Sequence, residues 1–96
     1  MSLISAQVSL YPLGQDDLAP AIDALLAALG DHGLEYEVGS MSTVVWGDDA
    51  VVWEALRDGF RRASALGGAV LNLTISNACP LPQTEPKGSS DGRDPA

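Results

Sequence analysis

The sequence predicts an α+β domain with the element order βαββαβ. Two observations carry this. Apolar and polar residues alternate strictly in one stretch near the start of the chain and in another near residue 70. Between them lie two stretches of 3.6-residue apolar periodicity, separated by a pair of short β-type runs.

The elements follow in order. Residues 3–12, LISAQVSLYP, alternate Ile4, Ala6, Val8 and Leu10 with Ser5, Gln7, Ser9 and Tyr11, the pattern of a half-buried strand, and Pro12 closes it. Residues 15–33 place Leu18, Ile22, Leu25, Leu26 and Leu29 on one helical face. Asp16 or Asp17 serves as cap, Pro20 falls in the first turn, where a missing N–H costs little, and Gly30 or Gly33 stops the helix. Two short strands, 34–38 and 41–46, are joined by Gly39 and Ser40 in a tight turn. A second helix starts from Asp48 or Asp49, turns Val52, Leu56, Phe60 and Ala63 inward, and stops at Gly67 and Gly68. The last strand, 69–76, sets Leu71, Leu73 and Ile75 against Asn72, Thr74 and Ser76.

Two right-handed crossovers turn this order into a ferredoxin-like sandwich, a four-stranded antiparallel sheet with two helices on one face. The other sheet face is then uncovered. It is polar on two neighbouring strands, with Ser5, Gln7, Ser9 and Tyr11 beside Asn72, Thr74 and Ser76, and is expected to be either a binding site or a joint between copies. The domain is expected to span residues 1–80. Residues 81–96 read as a disordered tail, since from Gln83 onward the composition is Pro, Gly, Ser and charge.

Composition narrows the function classes. The chain has 96 residues and a formal net charge of −8, from 13 acids against 5 bases. That balance offers no footprint for nucleic acid or an anionic membrane, and it favours a cationic small molecule. A core this small commonly gains from pairing with another copy. The one cysteine, Cys79, excludes an intrachain disulfide, and no apolar run approaches the roughly 18 residues of a membrane span. With no secretory leader in MSLISAQVSLYP, a cytoplasmic location is expected.

The stretches ISAQVSLYPLG and GLEYEVGSMSTVVWGD, in this fold order, resemble the YkoF-like thiamine and hydroxymethylpyrimidine-binding family over about residues 3–80. The resemblance implies a ferredoxin-like fold and association through the sheets into dimers or tetramers. It also implies binding of thiamine or its pyrimidine without chemistry on it. Where the family's motif often runs T-x-x-E-G, this chain runs T-V-V-W-G, placing Trp46 at the acidic position.

Six residues are candidates for ligand contact. Gln7 both donates and accepts, as an aminopyrimidine edge requires, and Ser9 and Asn72 supply further polar contacts on the same face. Ser42 and Thr43 are successive, so only one of them shares the face of Gln7; the other is a hydroxyl on the core side. Trp46 is expected to stack on a heteroaromatic ring or to be buried at a joint. Glu35 and Glu37 read as charges that keep an edge strand soluble, or one of them, Glu35 or Glu37, as a carboxylate for proton transfer with Asp48.

His32 has no second histidine or suitably spaced acid for a metal site, and Cys79 has no flanking base to activate it. No nucleophile, base and orienter can be assembled, so neither catalytic residues nor a cofactor are expected. The reading is a non-catalytic protein that binds thiamine or hydroxymethylpyrimidine. The alternative is a ligand-free structural oligomerisation module of the same fold.

Overall fold

The structure, a computed structural model, describes residues 2–14, 16–40 and 42–78. The expected tail, Cys79 and Met41 lie outside the described residues. Six elements run in the expected order: β1 (Leu3–Pro12), α1 (Ala19–Asp31), β2 (Glu35–Val38), β3 (Thr43–Asp48), α2 (Asp49–Ser64) and β4 (Ala69–Ser76). The strands form one antiparallel sheet in the order β2-β3-β1-β4, the ferredoxin-like arrangement.

The alternation in β1 decides the layering. Ile4, Ala6 and Val8 are buried and pack with Val45 of β3, Leu25 and Leu29 of α1, and Val52, Ala55 and Leu56 of α2. Both helices therefore cover one face. Leu10, Leu34, Leu71 and Ile75 border this core.

Helix α1 begins two residues after the acid that prepares it. Asp17 accepts a hydrogen bond from the Ala19 N–H at 3.1 Å, whereas the cap position itself is Leu18, with no side-chain cap bond. The helix ends in a Schellman arrangement. Gly33, at φ 75, lets its own N–H reach the Gly30 carbonyl at 2.9 Å and turns the Leu34 N–H onto the Leu29 carbonyl at 3.1 Å.

Two boundaries differ from the sequence expectation. The hairpin turn lies beyond Gly39 rather than on it: the Gly39 N–H bonds the Ser42 carbonyl at 2.7 Å, so Gly39 belongs to the closing pair. Strand β3 continues through Gly47 and Asp48, because both pair with the start of β1, Ile4 with Gly47 and Leu3 with Asp48. Asp48 then holds the cap position of α2 without a side-chain cap bond, and the Asp49 N–H is satisfied by the Ser2 carbonyl at 2.8 Å.

The inner stripe of α2 is Val52, Ala55, Leu56, Gly59 and Ala63. Phe60, expected inside, is 36% exposed, and Gly59 takes its place against α1. A Cβ at Gly59 would lie 2.5 Å from Leu25 Cδ1, so glycine permits the close approach of the two helices.

Candidate functional site

The sheet face away from the helices, uncovered among the described residues, is built in rungs. Antiparallel pairing sets Thr74 beside Gln7, Gln7 beside Val44, and Val44 beside Glu37, one residue from each of the four strands. The next rung is Ser76, Ser5, Trp46 and Glu35. Ser9 pairs with Asn72 in the rung on the other side. Hydroxyls and amides thus occupy β4 and β1, apolar side chains occupy β3, and carboxylates occupy β2.

Gln7 is exposed and oriented. Its Nε2 donates to Ser42 Oγ at 3.3 Å, a contact from β1 to the residue just before β3 that leaves the amide oxygen and one N–H available. Adjacent strands lie about 4.8 Å apart, so the Gln7 and Glu37 positions are separated by about 10 Å across Val44. A planar molecule lying on Val44 meets a donor–acceptor group at one end and a carboxylate at the other.

Of the six candidate residues, five share this face: Gln7, Ser9, Ser42, Trp46 and Asn72. Thr43 pairs with Val8 and lies on the helix side, 7% exposed, so it does not share a surface with Gln7. Trp46 has the expected face, but it is only 8% exposed in the single chain, and its indole Nε1 has no hydrogen-bond partner among the described residues. Its ring is already packed and offers no open stacking surface. Val44, half-buried and central in the Gln7 rung, is the apolar floor.

The sequence reads Glu37 as an edge-strand charge or a proton-transfer carboxylate, not as a ligand contact. The signal for its placement was the parity of the hairpin: once Val38 pairs with Thr43, Glu37 must stand opposite Val44 on the face of Gln7.

Two hollows lie away from Gln7. The larger, about 630 Å³, runs between α2 and β4 on the helix side and includes none of the six candidates. Its polar side chains, Glu54 and Arg57, are paired with each other at 3.5 Å. The smaller, about 360 Å³, lies at the end of β3 beside Trp46, His32, Glu35 and Asp48.

On the helix layer, Arg62 binds Asp58 through both carboxylate oxygens, at 2.9 and 3.2 Å, and Asp31 at 2.8 Å, while His32 Nε2 lies 3.1 Å from Asp58. The hydrogen bonds from Arg62, then from His32, hold the Asp58 carboxyl below its usual value. This cluster ties the end of α1 to α2 and is remote from the uncovered face. Among the described residues no group of three or more His, Cys, Asp and Glu is placed to hold a metal ion. No helix among them is long and apolar enough to cross a membrane.

Fold and face together define a two-layer α+β domain whose uncovered sheet carries its polar chemistry. The chain belongs to the YKOF-related family, whose sequence model matches residues 3–82. Among solved structures, it is similar to a protein of Thermotoga maritima provisionally assigned to thiamine biosynthesis or salvage. The two share 24% identity over 76% of this chain and 81% of that one, with a TM-score of 0.68. A hypothetical protein of Methanocaldococcus jannascii matches at 22% identity over 94% of this chain and 87% of that one, TM-score 0.73. A domain of unknown function from Bacillus cereus matches at 19% identity over 78% and 75%, TM-score 0.69. At these identities the likeness establishes the fold. No curated protein matches the chain.

Proposed function

We propose that the uncovered sheet face binds thiamine or its hydroxymethylpyrimidine moiety without catalysing a reaction on it. The observation that carries this reading is the Thr74–Gln7–Val44–Glu37 rung. An aminopyrimidine presents an amine beside a ring nitrogen, which the Gln7 amide complements, and a thiazolium is a cation, which Glu37 complements about 10 Å away. Val44 provides the apolar surface between them. Family membership and the Thermotoga maritima relative support a ligand of this class.

Self-association is proposed with it. Strands β2 and β4 are the edges of the described sheet, and Tyr11 and Val70, adjacent on the face away from the helices, are each nearly half exposed. The smallest folded unit is then a dimer, and a stable folded 10 kDa monomer in sedimentation at low micromolar protein would contradict it.

Calorimetric titration with thiamine and, separately, with hydroxymethylpyrimidine tests the binding reading. Saturable binding of either is expected. No heat and no competition at millimolar ligand would leave a structural association domain as the reading of the fold.

A further inference from the structure

The charges of the domain are divided between its two sides. On the sheet face away from the helices, the strand register places Glu37 in the Gln7 rung, Glu35 opposite Trp46 and Asp48 opposite Leu3. No lysine or arginine stands on that face among the described residues. The bases they include, Arg57, Arg61 and Arg62, all lie on α2, in the layer against the other face of the sheet. Arg57 is paired there with Glu54, and Arg62 with Asp58 and Asp31. Lys87 and Arg93 lie outside the described residues.

Helix starts are the usual backbone cradle for a phosphate, and neither start here suits one. Helix α2 begins on Asp48 and Asp49, and the Asp49 N–H already donates to the Ser2 carbonyl at 2.8 Å. Ahead of α1 stand Asp16 and Asp17, and Asp17 takes the Ala19 N–H. A phosphate brought to the binding side therefore meets carboxylates and, among the described residues, no balancing charge.

We infer that this face selects the free alcohol of its ligand and rejects the phosphate ester. The inference rests on the binding reading above and adds the ligand's phosphorylation state to it. Thiamine and hydroxymethylpyrimidine each carry a primary hydroxyl, and a phosphate ester there brings a charge of about −1.5 to −2 at pH 7. In thiamine the ester outweighs the cation that Glu37 complements. In hydroxymethylpyrimidine it adds an anion to a neutral molecule. With Glu35, Glu37 and Asp48 on the face and a net charge of −8, each ester approaches against a repulsion that its alcohol does not meet. The form held is the acceptor of phosphoryl transfer, not its product.

Calorimetric titration of the full chain with thiamine, thiamine monophosphate, hydroxymethylpyrimidine and its monophosphate is the test. At low ionic strength each ester is expected to bind at least about fivefold more weakly than its alcohol, and the ratio to narrow as salt is raised to about 0.5 M. The salt series needs no variant. Glu35→Gln should narrow the ratio at low salt, and Glu35→Lys should bind thiamine monophosphate more tightly than wild type does. Esters that bind as tightly as their alcohols would overturn the inference and leave the binding reading standing. A ratio unmoved by salt and by both Glu35 variants would overturn it too, since the discrimination would then be one of shape. Absence of binding by both alcohols would instead sink the binding reading, and this inference with it.

Discussion

Gln7 of β1 and Ser42, the residue just before β3, join their side chains, Nε2 donating to Oγ at 3.3 Å on the sheet face away from the helices. The bond is exposed, so it adds little to stability, but it fixes which way the amide of Gln7 presents its remaining donor and acceptor. Ser42→Ala is therefore expected to leave unfolding free energy within about 0.5 kcal/mol of wild type. The same change should weaken thiamine binding by roughly 2- to 12-fold, the worth of one hydrogen bond. Denaturant titration beside calorimetry separates the two effects, and a loss of stability without a loss of affinity would show that the bond serves the fold alone.

Gly59 is the point where α2 rests on Leu25 of α1. Alanine there would gain about 1 kcal/mol of helix propensity, yet its Cβ would stand 2.5 Å from Leu25 Cδ1 in a core where Leu25 is 2% exposed. Overpacking of this kind costs typically 1–3 kcal/mol and outweighs the propensity. Gly59→Ala is expected to be destabilising by about 1 kcal/mol in urea unfolding, and a more stable variant would show that the helices separate freely.

Trp46 buries an indole N–H that meets no acceptor among the described residues. Replacing it by phenylalanine removes the unpaired donor along with part of the ring, and the two changes oppose each other. Trp46→Phe should lose less than about 1.5 kcal/mol, against roughly 3–5 kcal/mol for Trp46→Ala. Equal losses in chemical denaturation would mean that the N–H has a partner in solution.

Acid stability has a local source in Asp58. Its carboxyl is lowered from the ordinary 3.8 by the hydrogen bond from Arg62 and then by that from His32, against a smaller opposing effect of desolvation. A depressed carboxylate contributes stability above its unfolded value and loses it as pH falls through the folded one. Wild type should thus hold that contribution above about pH 4 and lose it progressively below. Asp58→Asn should be less stable than wild type at neutral pH, with the difference shrinking as pH falls below 4. A difference that does not change between pH 7 and pH 3 would remove Asp58 from the account.

Much of this architecture is legible in the sequence because it depends on short-range rules. The alternation in LISAQVSLYP and AVLNLTIS fixes which side chains face the helices, and Gly33 stops α1 through a local motif. What is set by distant partners is not legible. The inner stripe of α2 was expected to include Phe60, since apolar side chains mark a stripe, whereas the position that touches α1 is Gly59, which has no side chain to read. Strand β3 runs on to Asp48 only because β1 is there to pair with it. The candidate face was visible in the parity of Gln7, Ser9, Ser42 and Asn72. The burial of Trp46 and the alignment of Glu37 with Gln7 depend on how four strands are laid side by side.

The most direct test of the binding account is a calorimetric comparison of Gln7→Ala and Glu37→Gln with wild type, each titrated with thiamine and with hydroxymethylpyrimidine. Gln7 faces the pyrimidine, so Gln7→Ala should weaken both ligands by about 5- to 100-fold, the cost of an unmatched polar pair. Glu37 faces the cation, so Glu37→Gln should weaken thiamine and leave hydroxymethylpyrimidine at wild-type affinity. Wild-type affinity of both variants for thiamine would contradict the account and move the site away from the uncovered sheet.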